Sequence, residues 1–322
     1  MTTFKEIRGT AVRSLSSDPS NPESGQLWYN NSIGVLKGYA LAAAAWSSGG
    51  NMGTARRILG GAGTQTSALG FGGFTTTNSN ATEEYDGSAW TAGGNLGTAK
   101  RGIGNAGTQT AGLGFGGYST VNTNATEEYD GSAWTAGGNM ATSRRSLGGC
   151  GIQTSALGFG GDDGIAYVTS TEEYDGTSWT GGGNLGTARS ALAGTGTQTA
   201  GLGFGGNNGT AVVANTEEYD GSAWAAGGNL NTGRIQLGGA GTQTAGLAFG
   251  GETTTPVNNT EEYNGTSWTA STALTTARRG LGNAGTQTAG LGFTGYTGTV
   301  NTAATEEYSG AALAVKTITT TS

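Results

Sequence analysis

Six cationic residues recur at one position of a regular pattern: Arg56, Lys100, Arg144, Arg189, Arg234 and Arg278. A second arginine follows in four of the cases, at Arg57, Arg101, Arg145 and Arg279, and together these residues hold most of the fifteen Lys and Arg in the chain. The first set, ringed around an axis, would trap an anion such as phosphate, sulfate or a sugar carboxylate, because guanidinium groups offer forked donors to such oxygens. Each repeat also brings two adjacent glutamates, Glu83 and Glu84 in the first. Arginine–glutamate pairing within or between repeats therefore competes for the same charges. The glutamate pairs are poor calcium ligands, since neighbours on a strand point to opposite faces.

Histidine is absent from the 322 residues. That removes the usual general base, the commonest metal ligand and every Ser-His or Cys-His dyad. The expectation is a chain with no catalytic residues, no cofactor and no metal. Cys150 stands where other repeats have Ala62, Ala106 or Thr195, and so reads as a small buried residue that cannot form an intrachain disulfide. A net charge of −7 without a basic run makes nucleic acid a poor partner. Met1 precedes polar TTFKEIRGT instead of a leader peptide, and no apolar run approaches the roughly 20 residues needed to span a bilayer. A product made in the cytoplasm without membrane insertion is expected.

The elements that must position these residues follow from the period. Glu-Glu-Tyr ends at Tyr85, Tyr129, Tyr174, Tyr219, Tyr263 and Tyr308, in steps of 44 or 45 residues. Apolar residues alternate with glycine, as at Leu113 and Phe115 or Leu202 and Phe204, which is strand periodicity. Asp130-Gly131 between Tyr129 and Trp134 signals a tight hairpin. Four short strands per repeat make a propeller blade. In that setting the recurring Tyr and Trp suit packing between blades better than sugar stacking, and glycine lets inner strands crowd the axis.

The series Gly72-Gly73, Tyr85, Trp90 and an Arg-containing TAR resembles Kelch repeats over about residues 47–308. The last repeat departs from it, with Thr294 for the first glycine and no tryptophan after Tyr308. The resemblance implies an all-β, Kelch-like β-propeller of seven four-stranded blades. Residues 1–46 then hold a degenerate first blade with strands FKEIRGTAV, QLWYN, VLKGY and AAAAW, and residues 47–322 hold the remaining blades, AALAVKTITTT being the outer strand of the last. In the alternative, the strand at Trp46 completes the last blade across the seam and the blades number six. Kelch-like galactose oxidase needs two histidines for copper, which this chain cannot supply. The sialidase aspartate box is likewise incomplete, with Glu84 where Ser or Thr belongs.

A second resemblance covers residues 16–39: SSDPSNPESGQLWYNNSIGVLKGY is similar to hairpin segments of tailed-bacteriophage virion and tail-fibre proteins. It implies a virion component, with other virion proteins and a host-surface glycan or protein as partners and a homo-oligomer on the virion in keeping. Trp28 and Tyr29 lie outside the repeat and suggest an attachment surface.

Differences among the repeats cluster between the glycine pair and Glu-Glu-Tyr, in loops that a propeller presents on one face. Candidate binding residues there are Asn78, Asn122, Asp162, Asp163, Tyr167, Asn207, Asn208 and Asn258. Neutral drift in exposed turns would give the same diversity. The readings that follow are a non-enzymatic virion adhesin, a purely structural capsid or tail decoration, and a cellular Kelch adaptor holding a peptide at the channel mouth.

Overall fold

The computed structural model describes residues 12–318, and all of their regular structure is β-strand, arranged in the expected seven four-stranded sheets. FKEIRGTAV lies almost wholly outside the described residues. The chain forms two compact units, one running from Ala45 to Ser309 and the other made of the chain up to Ala44 and from Gly310 onward.

The larger unit is a β-propeller. Its first blade comprises β5 (Gly60–Thr64), β6 (Ser67–Phe71), β7 (Thr82–Tyr85) and β8 (Trp90–Ala92), paired antiparallel in that order. Asp86 shapes the β7–β8 turn by accepting the amides of Ser88 and Ala89, while Gly87 takes a φ of +92°, open to glycine at little cost. The innermost strands β5, β9 (Gly104–Gly107), β13 (Gly148–Ile152), β17 (Ala193–Thr197), β21 (Gly238–Gly241) and β25 (Gly282–Gly285) neighbour one another in turn, and β25 returns to β5. Six sheets close this ring.

Glycine alternates with large residues because each sheet offers holes to its neighbour. A Cβ on Gly114 would stand 2.9 Å from the Phe71 ring of the preceding blade, and one on Gly70 would stand 2.9 Å from Phe293. Leu69 fills the space over Gly112 in the same way. These side chains are fully buried, and emptying one such site costs about 3–5 kcal/mol for a phenylalanine. At the axis a Cβ on Gly149 would lie 2.7 Å from the Asn105 carbonyl, so the inner strands do pack at glycine distance.

The seam shows how the chain ends are used. β4 (Ala45–Ser48) pairs with β27 (Thr305–Ser309), Trp46 lying opposite Tyr308 as Trp90 lies opposite Tyr85. The strand in AAAAW therefore completes the sixth ring sheet, in the manner of the seam alternative, and belongs to no blade of its own. The reason is visible in the last repeat, which lacks a tryptophan after Tyr308. Trp46 fills that place, stacking on Tyr308 and Phe249 and donating Nε1 to Thr260 Oγ1. The segment AALAVKT, expected as an outer strand of the propeller, is β28 (Ala312–Thr317), paired with β3 (Val35–Ala42) in the smaller unit.

That smaller unit is one mixed sheet, β1 (Arg13–Leu15) running parallel to β2 (Leu27–Asn30), with the β2–β3 hairpin expected over 16–39 in place. Asp18 ties it together by accepting from Trp28 Nε1, Asn30 Nδ2 and Lys37 Nζ at 3.1, 2.9 and 2.6 Å. Those donors, Lys37 foremost, hold its carboxyl down to about 2. Trp28 is thus fully buried and forms no attachment surface, whereas Tyr29 is 41% exposed.

Candidate binding face

The cations of the first set are not an open anion ring. Arg56, Arg144, Arg189, Arg234 and Arg278 are fully buried, Lys100 nearly so, and each pairs with the first glutamate of its own blade: Glu83, Glu172, Glu217, Glu261, Glu306 and Glu127 respectively, at 2.7–3.2 Å. Arg144 also donates to the carbonyls of Gly158, Gly160 and Ser170, stitching the β14 (Ser155–Phe159) end to the loop that follows it. Burial pulls these guanidinium pKa values down, and the facing carboxylate pushes them back up. Buried and facing a carboxylate of their own blade, these cations are out of reach of a ligand on the surface.

The second glutamate points the other way, as strand alternation requires. Glu84 accepts the Tyr129 hydroxyl of the next blade at 2.5 Å, and Glu128 accepts that of Tyr174. Trp134 Nε1 reaches back 2.9 Å to Thr82 Oγ1, and Gln109 Nε2 donates to the carbonyls of Ala68 and Tyr85. The Glu, Tyr, Trp and Gln of the repeat are therefore joints between or within blades. Cys150 is buried among apolar groups, which pushes its thiol up to about 12 and removes it from nucleophilic chemistry.

One mouth of the axis carries a closed circuit of backbone hydrogen bonds. The amide of Ile58 donates to Gly280, Gly280 to Gln236, Gln236 to Ala191, Ala191 to Ser146, Ser146 to Gly102, and Gly102 back to Ile58, at 2.6–2.9 Å. Every member has a positive φ, including β-branched Ile58 at 56°. Six amides satisfied in one circuit offset that strain. Along the axis lie narrow, partly open spaces of about 80 and 120 Å³, each smaller than an ordinary ligand pocket.

The variable loops rise around this mouth, each pinned by a bridge between the residue after the glycine pair and the residue after the buried cation, as in Arg57 with Phe74 and Arg145 with Asp162. Several of the candidate residues are spent on loop structure. Asn78 clamps the next loop through the carbonyls of Tyr118 and Ser119, and Asn122 does so through Asp162. Asn258 bonds the carbonyl of Leu274 below the loops. Asp163 and Asn208 each turn a carboxylate or amide oxygen onto the amides of their own turn, and Asn207 holds the amide of Gly209.

Asp162, Tyr167 and Asn208 do come together. With Arg145, Ile165 and Ala188 they line a groove of about 540 Å³ between the loops of the third and fourth blades. Arg145 holds Asp162 at 2.9 Å, and Ile165 at the rim is 96% exposed.

The residues of the second arginine set stand on this open face, one side chain along from the buried set. Arg57 lies over Phe74 of its own blade and over Tyr296 of the sixth, at 5.1 and 4.6 Å from the ring centres. Arg101 lies over Phe74 and Tyr118, at 4.6 and 4.9 Å. Arg145 covers Tyr118, and Arg279 covers Tyr296. The stack was not read from the sequence, though a signal exists: wherever the second arginine occurs, the residue after the glycine pair is aromatic or acidic. Opposite Ser190 it is Asn207.

No protein-family model and no curated protein matches this chain. Among the described residues no group of three or more Cys, Asp or Glu stands close enough to hold a metal ion.

Proposed function

We propose that the chain is a non-enzymatic adhesion component of a tailed-bacteriophage virion, whose Kelch-like propeller meets a host-surface receptor with its variable face. The observation that carries this reading is the division of labour within the repeat. Recurring polar and aromatic side chains are consumed by joints that make the ring rigid, and the differences gather around a groove of ligand size between the third and fourth blades. Tyr167, Asp162 and Asn208 give that groove a ring with hydrogen-bonding groups beside it, the chemistry that holds a sugar. The fibre-like segment 16–39 supports the virion setting. Leu41 and Leu313, register partners 63% and 44% exposed on the smaller sheet, suit attachment to neighbouring virion proteins.

The peptide-adaptor reading has less to rest on, because the spaces along the axis amount to only about 80 and 120 Å³. The test is binding of the full chain to host cells and to a glycan array, with Tyr167→Ala as the comparison. The reading expects capture that this substitution weakens while melting stays unchanged. Absence of the chain from purified virions, together with no binding to cells or glycans, overturns it.

A further inference from the structure

The stacked arginines of the variable face have a charge problem that the rest of the molecule avoids. The two at the ends of the arc are neutralised, Arg145 by Asp162 and Arg279 by Glu252. The two in the middle are not. Arg57 and Arg101 each donate Nη1 to a neutral amide oxygen, Asn301 Oδ1 at 3.0 Å and Asn78 Oδ1 at 3.1 Å, and among the described residues no carboxylate lies within 4.0 Å of either. In a chain of net charge −7, whose buried cations all have glutamate partners, these two are left open on a partly exposed surface.

The stack also decides what faces outward. Phe74, Tyr118 and Tyr296 each have a guanidinium from their own blade and one from the next over the ring. The electron-rich ring faces are thereby occupied, and the outward ring edges carry the positive end of the quadrupole. These half-buried rings and the guanidinium groups of Arg57 and Arg101, which face no carboxylate, form one strip along the variable face.

We infer that this strip is a binding track for a carboxylate-bearing polysaccharide, with one acidic group at Arg57 and another at Arg101. The inference rests on the adhesin reading and names the charge of its receptor. Phe74 keeps the two guanidinium carbons no more than about 9.7 Å apart, which suits charges carried on separate sugars. Single-stranded bases need the ring faces that arginine already covers. A protein partner would look for exposed aromatic anchors or a deep pocket, whereas the three rings here are half-buried and already covered by arginine. The exposed hydroxyls of Thr76, Thr77 and Thr120 in the adjoining loops supply donors and acceptors for sugar hydroxyl groups.

The experiment uses the full chain and three probes: polygalacturonate, the same polymer methyl-esterified, and neutral dextran. The acid form should bind about tenfold or more tightly than the ester, the gain from one or two charge-assisted hydrogen bonds. Arg57→Gln with Arg101→Gln should abolish that preference, while Phe74→Leu, which loosens the stack and keeps both cations, should retain it. Equal binding of acid and ester, or no binding of polygalacturonate, overturns the inference. Equal binding that Tyr167→Ala still weakens does so while leaving the adhesin reading standing. Should the double variant fail to fold, the acid-against-ester comparison on the unaltered chain decides.

Discussion

Tyr85 and Glu307 are 222 residues apart in sequence, yet the Tyr85 hydroxyl donates to Glu307 Oε1 across 2.6 Å. This is the joint between the sixth and first blades, and it repeats the contact that Tyr129 makes with Glu84. The ring therefore closes with the same chemistry at its seam as everywhere else. Tyr85→Phe leaves a partly buried carboxylate without its donor and should cost about 1–3 kcal/mol. Thermal unfolding checks it, and no loss of stability would mean that water replaces the phenol without penalty.

Lys100 is the one lysine in a set of arginines. It reaches Glu127 at 3.0 Å but cannot fork to the backbone, whereas Arg144 at the same place donates to three carbonyls as well as to Glu172. Lys100→Arg should stabilise the second blade by about 1–2 kcal/mol, the value of regained hydrogen bonds from a charged donor. A lower melting temperature would show that the second blade has repacked around the smaller head group.

Thr294 adopts a φ of 55° where the other five blades have glycine, such as Gly160 at 62°. It is fully buried, and its Oγ1 has no hydrogen-bond partner. Thr294→Gly should therefore raise stability by about 1–2 kcal/mol, through relief of left-handed strain and of an unpaired hydroxyl. Denaturant titration of the two forms measures the difference, and a loss would mean that the methyl packing outweighs both terms.

Alkaline pH should open the joints together. Burial, then the bond to glutamate, holds Tyr85, Tyr129, Tyr174, Tyr219 and Tyr263 up at about 12, against 10.0 for a free phenol, and Tyr308 moves the same way. A folded pKa above the unfolded one means that the stabilisation is complete below pH 10 and is lost as pH climbs from there through 12. Melting temperature followed with tyrosinate absorbance should fall over that window. A flat profile would show that the phenols ionise without disturbing the interfaces.

Much of this was legible because each repeat is locally consistent. The alternation around Leu113 and Phe115, the Asp130-Gly131 turn and the constant spacing of Tyr and Trp all demand strands of one length in one order, and the sheets have them. The variable loops were legible as a group, but the hydrogen bonds that several of their residues make inside the loops were not. Asn78 and Asn258 resemble free polar groups in a sequence, and only the approach of neighbouring backbone shows that their hydrogen bonds are already used.

The sequence by itself determined the period, the four-stranded unit and the absence of histidine chemistry, because these depend on residues close together in the chain. The tertiary structure decided which strand closes the ring and which arginine faces outward. Closure joins Trp46 to Tyr308, a pairing between chain ends that no local pattern specifies. Arg56 and Arg57 are alike in type, and extended backbone turns one into a buried pair with Glu83 and the other onto the aromatic stack. Which of the two goes inside depends on where the sheet lies, and that exists only once the ring has formed.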